Sequence, residues 1–212
     1  MDFSSCFGPG FLETYQAGVM RYKWKGVGML KSPIDMALYL MALQEFRPRT
    51  IFEIGSRFGG SALWLSDMSK VLGLDARIFS IDIEVPKISL PLDSGITFLQ
   101  GDCAYLGVTL GDSLLAALPR PFFVIEDSSH CYSDVMSALE FWSSHLVGGE
   151  LMVVEDGVLE SLGLADKYGG GPNKAIDDFF HKSPASFAIN RKYCDFYGEN
   201  ATYSPNGWLI KS

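Results

Sequence analysis

Residues Thr50 to Ser61 have the sequence TIFEIGSRFGGS, and this sequence indicates the fold class. Residues 50–54 are mainly apolar and β-branched, which predicts a buried strand. A glycine-rich turn follows from Gly55, and a helix is predicted to begin near Gly59. A strand, a glycine turn and a helix start make up the first part of a βαβ unit whose backbone a ligand can approach closely. The spacing differs from the dinucleotide motif GxGxxG, and the Gly-Lys-Ser/Thr of a P-loop is missing.

Apolar strand-like segments alternate with helix-like segments along the rest of the chain. The predicted strands cover residues 50–54, 77–83, 96–99, 121–125, 151–154, 187–190 and 208–210. Helices are predicted from Pro33 to Arg47-Pro48 and over residues 59–73, 110–118, 135–146 and 172–180. Continuous apolar strands separated by helices are typical of a parallel sheet covered on both faces, and a (β/α)₈ barrel would need more strands. The sequence therefore predicts an α/β, Rossmann-like, doubly wound, mostly parallel sheet of about seven strands.

The first 48 residues have a mixed composition and precede the alternating pattern. We expect residues 1–48 to form an N-terminal helical segment and residues 49–212 to form the Rossmann-like domain, within one compact domain overall. The N-terminal segment is either a lid over a cofactor, with Lys31 and Asp35 close to it, or an amphipathic helix packed on the sheet.

Composition and charge restrict the partners. The chain has 17 basic and 25 acidic residues, a formal net charge of −8, and its basic residues are scattered, which argues against binding to nucleic acid. The four cysteines form no CxxC pair, so we expect free thiols. No signal peptide and no stretch of about 18 apolar residues is found, so we expect a cytoplasmic protein that has no membrane partner.

An acid stands two residues before the first glycine of the turn. Glu53 in this position suits a ligand with a positively charged amino group, which S-adenosylmethionine has and a pyrophosphate nucleotide lacks. Gly55, Ser56, Gly59 and Ser61 complete the candidate cofactor-binding turn. The alternative is a tight β–α turn that binds no ligand.

Two further acids stand at the ends of the next two predicted strands. Asp82 is placed to accept hydrogen bonds from both ribose hydroxyls, and Asp102 to lie on the adenine side. Each acid alone is weak evidence, because acids are common at strand ends. Three acids in register with one glycine turn favour a nucleoside ligand.

Carboxylates also end two of the most apolar predicted strands. One run is FFVIEDSSH, from Phe122 to His130, and the other is LMVVEDG, from Leu151 to Gly157. Acids at such positions are costly unless they are paired or bind a metal, and neither run contains a lysine or arginine. We predict that Asp127, Glu155 and Asp156 bind a hard divalent cation such as Mg²⁺, with Glu126 facing the other way. The alternative is that these acids cap the helices that follow.

His130 lies three residues after Asp127. A histidine there could accept a proton from a hydroxyl held on the metal, although a purely structural histidine is the alternative. His145 and His181, on predicted helices, are assigned structural roles. Tyr168 and the glycines at positions 169–171 form either a flap over the acceptor or an ordinary loop.

Taken together, these motifs resemble those of the cephalosporin hydroxylase family and the related macrolide-sugar and rhamnosyl O-methyltransferases. The matching stretches are Trp24-Lys25-Gly26, Lys31-Ser32-Pro33-Ile34-Asp35, Glu53 to Ser61, Asp82, Asp127-Ser128-Ser129-His130, Glu155-Asp156, Gly171-Pro172 and Tyr203 to Leu209. The resemblance implies a class I methyltransferase fold, S-adenosylmethionine at the first turn and Mg²⁺ on Asp127, Glu155 and Asp156. It also implies His130 as the base and a homo-oligomer whose N-terminal segments help to close the site.

The function predicted on this basis is Mg²⁺-dependent methyl transfer from S-adenosylmethionine to a hydroxyl of a sugar or glycosylated natural product. Hydroxylation would need a redox cofactor or iron, and the sequence offers no ligand set for either. Two alternatives are kept. One is an NAD-type oxidoreductase on the same fold, and the other is a non-catalytic accessory subunit that binds S-adenosylmethionine.

Overall fold

A helix and a small hairpin precede the central sheet. The computed structural model describes residues 1–91 and 94–212. Helix α1 (Pro9–Val19) is followed by the antiparallel strands β1 (Lys23–Trp24) and β2 (Val27–Gly28). The sequence predicted only a short helical or irregular segment here. The hairpin was missed because each strand is two residues long, too short to show a periodic pattern.

Helix α2 (Pro33–Phe46) begins and ends where local chemistry predicts. The Ser32 side chain caps it by accepting a hydrogen bond from the Asp35 N–H at 3.3 Å, and Pro33 occupies the first helical position. Arg47 adopts a left-handed conformation just before Pro48 and ends the helix.

Seven strands form the central sheet. They are β3 (Thr50–Ile54), β4 (Arg77–Asp82), β5 (Ile96–Gln100), β6 (Phe122–Glu126), β7 (Leu151–Val154), β8 (Phe187–Ile189) and β9 (Trp208–Lys211). Their order in the sheet is β5-β4-β3-β6-β7-β9-β8. Strands β3, β4 and β5 pair in parallel, whereas β9 pairs antiparallel with both β7 and β8. The predicted α/β class and the mostly parallel, seven-stranded sheet are confirmed.

Six helices follow α2 among the residues that the structure describes. They are α3 (Gly60–Val71), α4 (Leu106–Thr109), α5 (Gly111–Ala117), α6 (Tyr132–His145), α7 (Gly171–Lys182) and α8 (Arg191–Cys194). Short 3₁₀ turns cover Cys103–Tyr105, Gly157–Leu159 and Ala165–Tyr168. Within the described residues, no helix is both long enough and apolar enough to span a bilayer.

The chain divides into two compact units, Gln16–Val124 and Met1–Tyr15 with Ile125–Ser212. In the first unit, the Phe52 ring lies 5.7 Å from that of Phe79 and 5.1 Å from that of Phe122, measured between centroids. In the second, Tyr193 and Trp208 lie 4.9 Å apart. Such aromatic side chains each bury about 150–250 Å² and supply much of the driving force for folding. The predicted N-terminal lid over residues 1–48 stays a prediction.

The first residues of the chain are held by two buried asparagines of their own unit. The Asn206 side chain donates to the Asp2 carbonyl at 2.6 Å, and the Asn200 side chain donates to the Ser4 carbonyl at 3.1 Å. The Cys6 N–H donates to the Glu199 carbonyl at 3.1 Å. These hydrogen bonds explain why Met1–Tyr15 belongs to the unit that contains Ile125–Ser212.

Candidate functional site

In the unit Gln16–Val124, the glycine turn after β3 is tight at Gly59 and Gly60, where an added Cβ would lie under 3 Å from neighbouring atoms. Gly55 and Gly59 have φ values of 102° and 83°, a region that favours glycine. A Cβ on Gly60 would lie 2.2 Å from the Gly28 carbonyl oxygen of the hairpin. Helix α3 therefore begins directly behind the turn, with its first N–H groups at the end of the sheet where open α/β folds bind ligands.

Glu53 lies beneath this turn and is fully buried. Its Oε2 accepts a hydrogen bond from the Ser80 hydroxyl at 2.5 Å, and the hydroxyls of Ser80 and Ser56 are 2.6 Å apart. This buried series of hydrogen bonds links β3, β4 and Ser56, the first residue after Gly55. The structure thus places two of the predicted cofactor residues, Glu53 and Ser56, in one hydrogen-bonded group.

Asp82 ends β4 beside the glycine turn, as the sequence predicted. Its Oδ2 accepts from the Arg57 N–H at 2.8 Å, and its Oδ1 accepts from the Glu84 N–H at 3.1 Å. Each carboxylate oxygen has a second lone pair, so these bonds leave capacity for a ribose hydroxyl. Asp102 is exposed and caps the Cys103–Tyr105 turn through the Ala104 N–H at 2.9 Å. Lys31 and Ser61 are both buried.

In the other unit, three predicted residues meet in one cluster. Asp127, His130 and Asp156 each offer a ligand atom, and these atoms lie within 4.8 Å of one another. His130 Nε2 is 3.3 Å from Asp156 Oδ2, and His130 Nδ1 is 3.9 Å from Asp127 Oδ1. Carboxylate oxygens are the donors that Mg²⁺ prefers, so the donor set fits a hard dication that also keeps water ligands.

Glu155, the third predicted carboxylate, is not part of that trio. It is 7% exposed, whereas the side chains of Asp127 and Asp156 are 21% and 28% exposed. The Glu155 N–H donates to the Glu126 carbonyl at 2.9 Å, which extends the strand pairing by one residue. Its role as a ligand stays a prediction.

Two members of the cluster have a left-handed backbone. His130 has a φ of 62° and Asp156 a φ of 59°, values that are uncommon for residues other than glycine. Asp156 stands at the N-cap of the turn Gly157–Leu159, yet its side chain makes no capping hydrogen bond. This geometry speaks against the helix-capping alternative for Asp156, because the carboxylate is directed elsewhere.

Burial and charge set the protonation of two groups at this site. Burial lowers the pKa of His130, but the nearby carboxylates, Asp156 and Asp127 foremost, outweigh it and raise the pKa above its usual value. Burial raises the pKa of Glu126 to about 7, against the opposing effect of the hydrogen bond from the Ser128 hydroxyl. Glu126 is 1% exposed, and the prediction that it faces away from Asp127 stays a prediction.

Two neighbours complete the surroundings of the cluster. The Tyr168 ring lies edge-on to the His130 ring, with 5.9 Å between centroids, and the three glycines after it all have positive φ. Asn173 bonds to the turn that follows Asp156, and sequence reasoning missed it. Asn173 directly follows the motif Gly171-Pro172 in the sequence. Its contact with the Gly157 carbonyl, however, joins residues far apart in the chain and leaves no local signal.

A family model described as rhamnosyl O-methyltransferase/CmcI matches residues 16–212. The chain belongs to the rhamnosyl O-methyltransferase/CmcI family. A rhamnosyl O-methyltransferase of Mycobacterium leprae is 28% identical over 190 residues, covering 89% of this chain and 82% of that protein. A rhamnosyl O-methyltransferase of Mycobacterium tuberculosis is 24% identical over 192 residues, covering 89% of this chain and 78% of that protein.

Solved structures of CmcI resemble the chain over most of its length. One, with Mg and SAM, has a TM-score of 0.68 and 26% identity, and the match covers 91% of this chain and 77% of that one. An apo structure of CmcI has a TM-score of 0.72 and 26% identity, covering 91% and 76%. The predicted family, class I methyltransferase fold and S-adenosylmethionine-dependent O-methyl transfer are confirmed. This chain is an S-adenosylmethionine-dependent O-methyltransferase rather than an NAD-type oxidoreductase.

Proposed function

We propose that this enzyme methylates a sugar hydroxyl with the help of Mg²⁺ bound at Asp127 and Asp156. The observation that carries the proposal is the cluster of Asp127, His130 and Asp156 within 4.8 Å, made of two carboxylates and one possible base. Glu155 follows β7 directly, and we assign it as the third carboxylate of the site. The CmcI structure that contains Mg together with SAM supports the choice of ion.

The cofactor is assigned to the glycine turn of the other unit. Gly55, Gly59 and Ser61 would face the methionine part of S-adenosylmethionine, with the buried Glu53–Ser80–Ser56 chain holding the turn in shape. Asp82 would accept from the ribose hydroxyls, and Asp102 would lie on the adenine side. Lys31 is assigned to the wall of the same site.

The chemistry is a direct displacement. The acceptor oxygen attacks the methyl carbon, the bond from that carbon to sulfur breaks with its electron pair going to sulfur, and S-adenosylhomocysteine leaves as a neutral thioether. Mg²⁺, when bound, supplies a Lewis acid that lowers the pKa of the hydroxyl and fixes its direction.

His130 is assigned to take the hydroxyl proton. Its Nε2 lies 3.3 Å from Asp156 Oδ2, so the imidazole stands at the edge of the proposed metal site. Positioned bases of this kind contribute about 10²–10⁴-fold to turnover. The two imidazole nitrogens lie 3.9 Å from Asp127 Oδ1 and 3.3 Å from Asp156 Oδ2, so the ring is close to both carboxylates.

A sugar is the proposed acceptor because the related mycobacterial proteins are named rhamnosyl O-methyltransferases. Tyr168 supports this choice, since its half-buried ring lies next to His130 and aromatic faces commonly line ligand pockets. The predicted flap of Tyr168 and residues 169–171 and the predicted homo-oligomer remain parts of this proposal.

The test is methyl transfer to a rhamnoside acceptor with and without EDTA. The wild-type enzyme should lose activity in EDTA and regain it when Mg²⁺ is added. Asp127→Ala should lower turnover at least about 10²-fold, since the ion that activates the hydroxyl is lost. Asp75→Ala, at an exposed position in a loop, is the matched control. Full activity of the wild type and of Asp127→Ala in EDTA would refute the metal role.

A further inference from the structure

A buried asparagine outside the proposed ligand set holds the turn that carries Asp156. Asn173 lies in the first turn of α7 and is 4% exposed. Its Nδ2 donates to the Gly157 carbonyl at 2.9 Å and to Glu160 Oε2 at 2.6 Å. One amide group therefore fixes the residue directly after Asp156 and a second residue three positions further on.

The Asn173 side chain lies so close to Gly157 that a larger residue at position 157 would clash with it. A Cβ on Gly157 would lie 2.3 Å from Asn173 Oδ1 and 2.9 Å from Pro205 Cδ. Real Cβ atoms do not approach other atoms at 2.3 Å, so a side chain at this position would displace either Asn173 or the turn. The absence of a side chain at Gly157 therefore leaves room for the Asn173 amide next to the backbone of the turn.

The other oxygen of the amide makes the arrangement unusual. Asn173 Oδ1 is buried and has no hydrogen-bond partner within the described part of the chain. A buried acceptor without a partner costs free energy, so folding stability alone does not explain an asparagine here.

We infer that Asn173 is a positioning residue that sets the direction of the Asp156 carboxylate. Asp156 has a left-handed backbone, and the peptide that follows it is fixed by Asn173 on one side and by the hydrogen bond from the Val158 N–H to the Tyr203 carbonyl, 3.0 Å long, on the other. With both anchors in place, Asp156 Oδ2 lies 3.3 Å from His130 Nε2. The inference rests on the proposed function, because it assigns Asn173 a part in metal binding at Asp127 and Asp156.

Two substitutions separate hydrogen bonding from packing. Asn173→Ala removes both, whereas Asn173→Asp keeps the shape against Gly157 and loses the donor. Residues that orient metal ligands typically change metal affinity about 10–100-fold, and we expect both variants to bind Mg²⁺ more weakly by this factor. Calorimetric titration of each protein with MgCl₂ measures the affinity, and a second titration with S-adenosylmethionine should give an unchanged Kd. Saturating Mg²⁺ should restore most of the turnover.

Controls come from the same helix and the same hydrogen-bond group. Lys174→Ala removes an exposed side chain that contacts Asp178 and Tyr132, and it should bind Mg²⁺ like the wild type. Glu160→Gln keeps an acceptor for the Asn173 amide and should also be close to the wild type. Thermal unfolding of each variant shows that it is folded at the assay temperature.

The two proposals fail in different ways. If Asp127→Ala abolishes Mg²⁺ binding while both Asn173 variants keep wild-type affinity, the role of Asn173 is overturned and the proposed metal site stands. If the wild-type protein itself binds no Mg²⁺, the proposed function and the inference fall together. If Asn173→Ala weakened Mg²⁺ binding but Asn173→Asp did not, the effect would come from packing. That result would overturn the proposal that the hydrogen bonds of Asn173 position Asp156.

Discussion

His130 and Asp156 hold their side chains together at a cost to the backbone. Both residues have a left-handed backbone conformation, which costs on the order of 1–3 kcal/mol of folding free energy for each residue other than glycine. Histidine and aspartate tolerate this region better than most residues do. Because the cluster retains both conformations, the strain is maintained by the contacts around it, which include the Asn173 amide.

Replacing His130 with asparagine should separate turnover from stability. Asparagine accepts the left-handed backbone but cannot take a proton, so we expect turnover to fall about 10²–10⁴-fold. The free energy of unfolding in the presence of Mg²⁺ should change by less than about 1 kcal/mol, because the backbone conformation is retained. Initial rates and urea unfolding measure the two quantities.

His145→Asn is the matched control for this variant. The His145 ring bonds to the Phe141 carbonyl at 2.6 Å within α6 and stacks on the Phe141 ring. Its loss should leave turnover unchanged. A His130→Asn enzyme with wild-type rates would exclude the imidazole from the reaction.

Ser80 supports the cofactor turn through the buried carboxyl of Glu53. Ser80→Ala leaves Glu53 Oε2 without its hydroxyl donor and should lower the free energy of unfolding by about 1–3 kcal/mol. Urea unfolding measures the loss, and Ser133→Ala, an exposed serine of α6, should cost less than about 0.5 kcal/mol. If both variants had the same free energy of unfolding, the Glu53–Ser80–Ser56 hydrogen bonds would not stabilise the cofactor turn.

The site residues that could be predicted are those whose signal is local. Asp82 is the last residue of a strand, and Asp127 and Asp156 come just after the ends of apolar strands, so their position at the strand ends was visible in the sequence. The left-handed turn at Asp156 and the approach of Asn173 were not, because both depend on packing against α7. Glu155 was predicted alongside Asp156 because the chain was expected to turn at Gly157 so that the two side chains converge. Asp156 lies in the trio, and the role of Glu155 as a ligand stays a prediction.

At the scale of elements, the start of α3 and the β1–β2 hairpin depend on each other. The contact between Gly60 and the Gly28 carbonyl is a backbone contact, so the hairpin has to move if position 60 gains a side chain. Gly60 has an ordinary helical conformation, so the cofactor turn alone would not require glycine there. Its close contact with the hairpin explains why position 60 is a glycine.

Gly60→Ala should therefore destabilise the protein even though alanine is the better helix former. We expect a loss of about 1–3 kcal/mol from overpacking, together with weaker binding of S-adenosylmethionine. Gly18→Ala is the control, because nothing lies within 4 Å of a Cβ at the end of α1. Chemical unfolding measures the stability, and calorimetry measures the affinity for S-adenosylmethionine. If Gly60→Ala were neutral or stabilising, the hairpin would be able to move aside without a loss of stability.

Element positions were predictable to within a few residues, but their arrangement was not. Strand β7 was predicted over residues 151–154 and is found there, because its apolar run is bounded by glycine and acids. The antiparallel direction of β9 was not predicted, since an apolar run reads the same whichever way its neighbour runs. Pairing is decided by distant residues.

For the molecule as a whole, Cys194 reports on global unfolding. The side chain is fully buried, and burial raises the pKa of its thiol to about 11. At pH 8 only about one thiol in a thousand would be ionised in the folded state, and alkylation needs the thiolate. Cys6 is exposed.

With iodoacetamide at pH 8, Cys6 should react first and Cys194 only as fast as the protein unfolds. Mg²⁺ and S-adenosylhomocysteine should slow the labelling of Cys194 further, because ligands that bind only the folded state stabilise it. Peptide mass spectrometry measures the labelling rate of each cysteine separately. Labelling of Cys194 as fast as Cys6 would mean that the Trp208 region opens locally.

Strand β9 has a consequence for how the protein is made. It is translated after β7 and β8, yet its place is between them, with Trp208 opposite Val153 on one side and Leu209 opposite Ile189 on the other. Until the ribosome has delivered these residues, β7 lacks a neighbour on that side and β8 has no strand to pair with. A nascent chain stalled before residue 208 should thus bind chaperones and remain sensitive to protease, and acquire resistance only when β9 emerges.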